Sequence, residues 1–343
     1  MRNIVKVKDV LIGGNNKVVI QSMTNTKTSN FQKTLEQIFE LDKVGCEIVR
    51  VAIENNEDIK SLHKICKESP IPVVADIQYS YKHALDAIKA GAHKIRINPS
   101  YLDETELSLI CKELKFTGIP VRVGVNEGST LKDSTPERLA EIAINNAKLL
   151  QKHGVENIVI AAKTSSVKKT IETNRILYNE TSFPIHLGLT EAGTEIGGLD
   201  KSFVTLGGLL VDGIGDTIRV SLSANPVKEV LAAKRLLRAC NIDKDYANII
   251  SCPTCGRTKI DVFGLAKAVE DYTKDIEIPL KIAIMGCAVN GIGESKGADL
   301  GVCGGKNISS IFVDGKIVKT ISNENILPEL FNIIELKTKT IDE

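Results

Sequence analysis

Over its first 240 residues the chain alternates between two hydrophobic rhythms. Short runs rich in Val and Ile recur at Val18–Gln21, Glu47–Ile53, Pro72–Ile77, Lys94–Asn98, Pro120–Val125, Asn157–Ala162, Pro184–Leu189 and Thr217–Leu222. Gly or Pro often precedes them, as expected at strand boundaries. Between them lie amphipathic stretches of helical period, such as Thr34–Val44, Tyr81–Ala90, Pro136–His153 and Pro226–Cys240. Gly45, Gly91, Gly118 and Gly154 fall just after helix-like segments, where a left-handed residue ends a helix. Strands alternating with helices imply parallel pairing, and eight such units predict a (β/α)8 TIM barrel. A doubly wound open sheet would need a Gly-rich dinucleotide turn after its first strand. Gly13-Gly14 precedes that strand instead, which favours the barrel.

From about Tyr246 the rhythm changes. Short strands are expected at Asn248–Ser251 and Lys281–Met285, and a helix at Asp261–Thr273. Asp314-Gly315 separates Ile311–Val313 from Lys316–Lys319, a type I′ hairpin signal. A final helix is expected near Ile326–Leu336. The division predicted is therefore a barrel over 1–243 and a small α+β domain over 244–343.

Composition narrows the function classes. The net charge of +1 argues against a dominant nucleic-acid surface. No apolar run approaches the ~20 residues of a membrane-spanning helix, and the opening Met1-Arg2-Asn3-Ile4-Val5-Lys6-Val7 has no signal-peptide core. A cytoplasmic protein is expected. The 8 cysteines are scattered, which does not read as a disulfide framework. Cys46, Cys66, Cys111 and Cys240 sit in apolar or helical contexts and read as small buried hydrophobes.

The barrel strands carry cations in unexpected places. Arg50, Arg96, Arg122 and Arg219 each stand between β-branched residues in mid-strand, and Lys163 follows Ile158–Ala162 directly. Alternate residues of a barrel strand point inward. Cations converging inside are costly to desolvate unless an anion joins them, and Arg suits phosphate through paired, planar hydrogen bonds. A single such Arg is as readily explained by an outward ion pair with a helix; four in the same context are not. Asn98, Asn126 and Ser221 lie at the same strand ends and could add neutral donors. Asp76, His186 and Glu191 are candidate acid–base groups there, against the plainer readings of Glu191 as a cap and His186 as a core residue.

The C-terminal region offers thiols. Cys252 and Cys255 sit in Ser251-Cys252-Pro253-Thr254-Cys255-Gly256-Arg257, Cys287 in Met285-Gly286-Cys287, and Glu294 in Gly293-Glu294-Ser295-Lys296. Thiolates select zinc or iron–sulfur clusters. No His follows His186, so a fourth ligand must be Cys303, by counting, or a carboxylate such as Glu294. A structural zinc site would favour four tight ligands, whereas an oxygen ligand would leave one metal position labile.

Together these residues resemble the 4-hydroxy-3-methylbut-2-enyl diphosphate synthase family of the methylerythritol phosphate route to isoprenoids. The likeness runs along nearly the whole chain: Gln21-Ser22-Met23-Thr24-Asn25-Thr26, then Gly45–Val51, Ile119–Ser129, Leu187–Gly193, Gly213–Leu222, Cys252–Arg257 and Gly286–Lys296. The resemblance implies a [4Fe–4S] cluster on Cys252, Cys255 and Cys287 with Glu294 as fourth ligand, leaving Cys303 structural. It implies the substrate 2-C-methyl-D-erythritol 2,4-cyclodiphosphate, held by Arg50, Arg96, Arg122, Lys163 and Arg219 with Asn98, Asn126 and Ser221. Glu191 would protonate the departing oxygen. It further implies a homodimer with sites shared between subunits, and a flavodoxin or ferredoxin electron donor. Gln78 stands where the family usually has His, Asn30 and Asn225 where it has acidic residues, and Ile292 where it has Pro. The alternatives are a non-redox phosphate-binding barrel enzyme with a structural zinc knuckle, and a zinc-stapled scaffold for a protein or RNA partner.

Overall fold

The structure, a computed structural model, describes residues 2–127, 134–274, 276–288, 293 and 297–341. These form two compact units, Met1–Ile242 and Asp243–Glu343.

The first unit opens with an antiparallel hairpin, β1 (Ile4–Val7) and β2 (Val10–Gly13), that the hydrophobic pattern did not announce. It turns at Lys8, whose φ of 54° is left-handed. Val5, Val7 and Ile12 are buried in one cluster with Val19, Ile48, Val74 and Val159. Those four lie at the N-terminal ends of barrel strands, so the hairpin stoppers that end of the barrel.

Eight parallel strands follow: β3 (Val19–Met23), β4 (Ile48–Ile53), β5 (Val73–Ile77), β6 (Lys94–Ile97), β7 (Val121–Asn126), β8 (Ile158–Lys163), β9 (His186–Gly188) and β10 (Thr217–Arg219). They pair in the order β8-β7-β6-β5-β4-β3-β10-β9. A parallel bridge between Ile160 and Ile185 brings the two ends of that order together. This is the predicted (β/α)8 barrel, with every predicted run present.

The helices are α1 (Phe31–Lys43), α2 (Asn56–Glu68), α3 (Tyr81–Lys89), α4 (Glu104–Thr117), α5 (Pro136–Lys152), α6 (Val167–Glu180), α7 (Glu195–Val211) and α8 (Pro226–Ala239). Side-chain caps start most of them. Asn55 with Asp58 and Asp103 with Glu106 make full capping boxes, satisfying N–H groups that the first turn leaves without partners. At Gly45, Gly91, Gly118 and Gly154, φ lies between 72° and 92°, as the sequence requires of helix ends.

Strand alternation sorts the barrel into two environments. Val49, Val51, Ile95, Ile97, Val121, Val123, Ile158, Ile160, Ile218 and Val220 join the helices' Ile38, Leu41, Leu62, Ile65, Leu107, Leu139 and Leu236 in the main core. Their neighbours Arg50, Lys94, Arg96, Arg122, Val159 and Arg219 must then face the barrel axis. The interior is apolar at the hairpin end and polar or charged above it.

In the second unit a five-stranded sheet runs β11 (Asn248–Ser251), β12 (Lys281–Met285), β13 (Leu300–Cys303), β14 (Ile308–Val313), β15 (Lys316–Ser322). The first three strands are parallel and the rest antiparallel. Helices α9 (Val262–Thr273) and α10 (Ile326–Ile341) share one core with the sheet, through Val262, Val269, Ile282, Ile284, Val302, Ile326, Leu330 and Ile334. At the predicted hairpin, Asp314 and Gly315 have φ of 49° and 76°, both left-handed, as a type I′ turn demands. Strand β13, which the sequence pattern did not mark, is the addition.

Candidate functional site

The predicted cations do converge. Arg50, Arg96, Arg122 and Lys163 are all buried, Arg122 to 2% exposure, and Arg219 is partly buried beside them. Asp76 lies among them, 3.5 Å from Arg50 Nε and accepting from Arg96 Nη1 at 3.2 Å. Burial works against its charge, but Arg50, Arg96 and Arg122 outweigh that and hold its carboxyl below the usual value. The residue read as a candidate acid–base group is therefore the cluster's internal counter-ion. Met23 Sδ sits between two of the cations, accepting from Arg50 Nη2 at 3.0 Å and Arg219 Nη1 at 3.5 Å.

Charge does not balance inside the barrel. Five predicted cations and Lys94 face Asp76 and, on Arg219, Glu229. Arg122 Nε and Nη1 and Arg96 Nε are buried without a hydrogen-bond partner. Burial, and then repulsion from Arg50 and Arg96, pulls Arg122 well below the ordinary Arg value. Burial, then Arg122 and Arg50, does the same to Lys163. Arg50 falls to about 10, with burial the leading cause. An anion would supply both the missing acceptors and the missing charge.

Two glycines make room for this. A Cβ on Gly124 would lie 2.8 Å from Arg96 Nε, and one on Gly188 would lie 2.9 Å from Lys163 Cε. Any side chain at either position would push a cation out of place.

The neutral donors and the acid are distributed around the same strand ends. Asn98 is buried just past β6, its Oδ1 accepting from Ser100 N at 3.2 Å. Asn126 closes β7 in register with Lys163. Ser221 is half-buried, two residues past β10. Glu191 is exposed in the loop after β9 and has a left-handed φ of 52°, an uncommon conformation for a residue other than glycine. It does not cap α7, whose N-cap is Thr194. His186 is fully buried, with Nδ1 2.6 Å from Thr217 Oγ1 and Nε2 unpartnered. Burial and then Lys163 and Arg122 push it well below its ordinary value.

Two members of the cluster were missed from sequence. Lys94 begins β6 with 0% exposure, its Nζ 3.4 Å from Gln21 Oε1. Burial, then Arg122 and Arg50, lowers it well below the usual lysine value. Its two-residue spacing from Arg96 was the available signal. Glu229, in the first turn of α8, looks in sequence like an ordinary helix-start carboxylate and had no distinguishing mark.

In the second unit three thiols lie at the C-terminal ends of neighbouring strands. Cys252 follows β11, Cys287 follows β12 and Cys303 ends β13, three parallel neighbours. None of the cysteines is in a disulfide. Gly286 N donates to Cys252 Sγ at 3.2 Å. The backbone N–H of Arg257 leads in lowering the exposed Cys255 thiol, helped by the Arg257 charge and Thr258. Burial and then Cys287 raise Cys303, a poorer thiolate. Such N–H donors favour the thiolate that binds soft metals, so the donor chemistry at Cys252 and Cys255 fits a thiolate-bound metal group, and Cys287 adds a third sulfur from the neighbouring strand. Among the described residues no three His, Cys, Asp or Glu side chains are close enough together to hold one metal ion, and Glu294 lies outside the described residues. In the barrel, burial pushes Cys46 and Cys66 up to about 12 and Cys111 up to about 11, as inert core thiols require.

Two of the departures noted in the sequence are locally accommodated. Asn30 and Asn225 cap α1 and α8 through their side-chain oxygens, the task an Asp would perform. Gln78 is exposed, and Ile292 lies outside the described residues.

The sequence matches the family model described as the GcpE TIM-barrel domain over residues 2–234, and that described as the GcpE protein C-terminal domain over residues 248–336. The 4-hydroxy-3-methylbut-2-en-1-yl diphosphate synthase (flavodoxin) of Caldanaerobacter subterraneus subsp. tengcongensis is 46% identical, covering 98% of this chain and 97% of the relative. That of Thermotoga maritima is 46% identical, covering 96% of each. Among solved structures, dihydropteroate synthase from Stenotrophomonas maltophilia overlays with a TM-score of 0.54 at 13% identity, over 69% of this chain and 98% of that one. At that identity the likeness shows the shared fold alone.

Proposed function

Because the chain belongs to the GcpE family, we propose that it makes 4-hydroxy-3-methylbut-2-enyl diphosphate by reductive ring opening and dehydration of 2-C-methyl-D-erythritol 2,4-cyclodiphosphate. The observation that carries this reading is the excess of buried positive charge at the barrel axis, with Arg122 Nε and Nη1 lacking acceptors. A cyclic diphosphate brings two anionic phosphates to that charge.

In this reading Arg50, Arg96, Arg122, Lys163 and Arg219 bind the diphosphate, and Asn98, Asn126 and Ser221 orient it through neutral hydrogen bonds. Asp76 keeps Arg50 and Arg96 turned inward without cancelling the cluster. The reaction consumes two electrons and releases one hydroxyl as water, so a proton must reach the departing oxygen. Glu191, on the loop at the strand ends, is the group assigned to deliver it. Cys252, Cys255 and Cys287 would hold a [4Fe–4S] cluster, with Glu294 as the fourth ligand. Bound there, such a cluster would supply one-electron redox chemistry. Flavodoxin, named in the relatives' activity, is the proposed donor, with ferredoxin as the substitute. A cytoplasmic homodimer with shared active sites completes the proposal; among the described residues no helix is long and apolar enough to cross a membrane. The relatives' names give no support to the non-redox zinc-knuckle alternative.

The test is the content of iron, acid-labile sulfide and zinc in protein purified without oxygen. The proposal expects about four irons and four sulfides per chain, and turnover of the cyclodiphosphate with reduced flavodoxin. One zinc without sulfide would defeat the redox reading.

A further inference from the structure

Glu229 has no role in the reading above, yet it is one of the most densely engaged side chains in the barrel. It is 3% exposed. Its Oε2 accepts from Ser22 Oγ at 3.1 Å and from Arg219 Nε at 3.3 Å. Its Oε1 accepts from Leu222 N at 2.9 Å and from Arg219 Nη2 at 3.4 Å. One carboxylate thus gathers donors from β3, from β10 and from the segment after β10.

A helix-start carboxylate ordinarily serves its own helix. Here Asn225 supplies the side-chain cap of α8 by accepting from Val227 N, and all the hydrogen bonds described for Glu229 point away from the helix. They bracket Ser221, because Arg219 and Leu222 on either side of it are tied to the same group. The pairing also selects which edge of Arg219 is committed. Nε and Nη2 go to Glu229, and Nη1 is directed to Met23 Sδ, the atom that Arg50 also contacts. Arg219 and Arg50 repel one another, so without a fixed acceptor Arg219 would turn from the cluster toward solvent.

We propose that Glu229 is a positioning residue: it holds Arg219 and the Ser221 segment so that both present donors to the diphosphate. This rests on the reading of the barrel interior as the diphosphate site. Glu229 touches no substrate in this assignment and acts only through its partners.

The experiment compares Glu229→Gln, Glu229→Asp, Arg219→Gln and the double variant Glu229→Gln/Arg219→Gln in the full chain. It measures KM and kcat for the cyclodiphosphate, and by calorimetry the Kd of inorganic pyrophosphate. Glu229→Gln is expected to raise KM and the pyrophosphate Kd about tenfold, as loss of a charged hydrogen bond does, with kcat altered by less than about threefold. Glu229→Asp, which keeps the charge, is expected to recover part of that loss. In the Arg219→Gln background the Glu229 change should add less than about twofold, because the two act as one unit. Fully additive effects, or a folded Glu229→Gln with unchanged KM, overturn the proposal. If Glu229→Gln does not fold, Glu229→Asp decides alone: a rise in KM at constant kcat supports it, and unchanged KM overturns it. An Arg219→Gln variant with wild-type KM and pyrophosphate Kd would bring down the diphosphate-site reading itself, a distinguishable failure.

Discussion

The barrel interior and the thiol region of the second unit assemble their functional groups in opposite ways. The barrel draws one or two residues from each of many strands, from Met23 to Arg219, and buries them with their charges unbalanced. The thiol region takes Cys252 and Cys255 from one turn and Cys287 from the end of a neighbouring strand, and none of the three is fully buried. In the barrel, Arg122 Nε and Nη1 and Arg96 Nε are buried without a hydrogen-bond partner. The thiol region is accessible, with N–H donors already aimed at sulfur, which suits the insertion of a metal group. Desolvation is the difference: it makes buried cations demand a partner, while Cys255 is exposed and Cys252 and Cys287 are only partly buried.

If the two regions are energetically separate, Cys252→Ala has the largest single effect. It is expected to abolish bound iron and turnover while leaving the affinity for inorganic pyrophosphate within about twofold. A parallel loss of pyrophosphate binding, seen by calorimetry, would break the separation.

Arg122→Met comes next, and it sharpens the contrast within the barrel. Replacing a buried cation that lacks acceptors with an apolar side chain is expected to stabilise the ligand-free protein by about 1–3 kcal/mol. Pyrophosphate affinity should fall by about a hundredfold. A lower Tm for this variant would show that Arg122 is structurally satisfied, contrary to the unbalanced-charge argument.

Asp76→Asn is expected to cost about 3 kcal/mol of stability by breaking a buried ion pair. Its pH dependence is the sharper readout. The Asp76 carboxyl is held below its ordinary value in the folded state. Its contribution is therefore complete above the unfolded carboxylate pKa of about 3.9 and disappears as pH falls through the lower folded value. Urea unfolding of wild type and variant should show a gap that narrows on acidification. A gap constant with pH would mean that Asp76 is not the counter-ion.

Much of this architecture was legible in the linear chain because its causes are local. Val–Ile runs, cap residues, glycines after helices and the Asp314-Gly315 turn act on their immediate neighbours. The strand period of two, with the same context repeated at Arg50, Arg96, Arg122 and Arg219, led to the expectation that they face away from the helices, and the Cys-x-x-Cys spacing marked the thiols before any fold was known. Other features rest on contacts between residues far apart in sequence. Nothing near Asp76 says that it will meet Arg50 and Arg96. Glu229 is an unremarked helix-start residue until α8 packs on β3 and β10, and Lys94 is one more polar strand residue until closure buries it. The β1–β2 hairpin has little pattern of its own and is held by the floor it covers. Sequence alone thus determined which way each strand faces, since alternation is built into the extended backbone. Only the tertiary structure decided which charges meet and which remain unmatched, because that depends on closing a barrel across some 200 residues and on the desolvation that closure imposes.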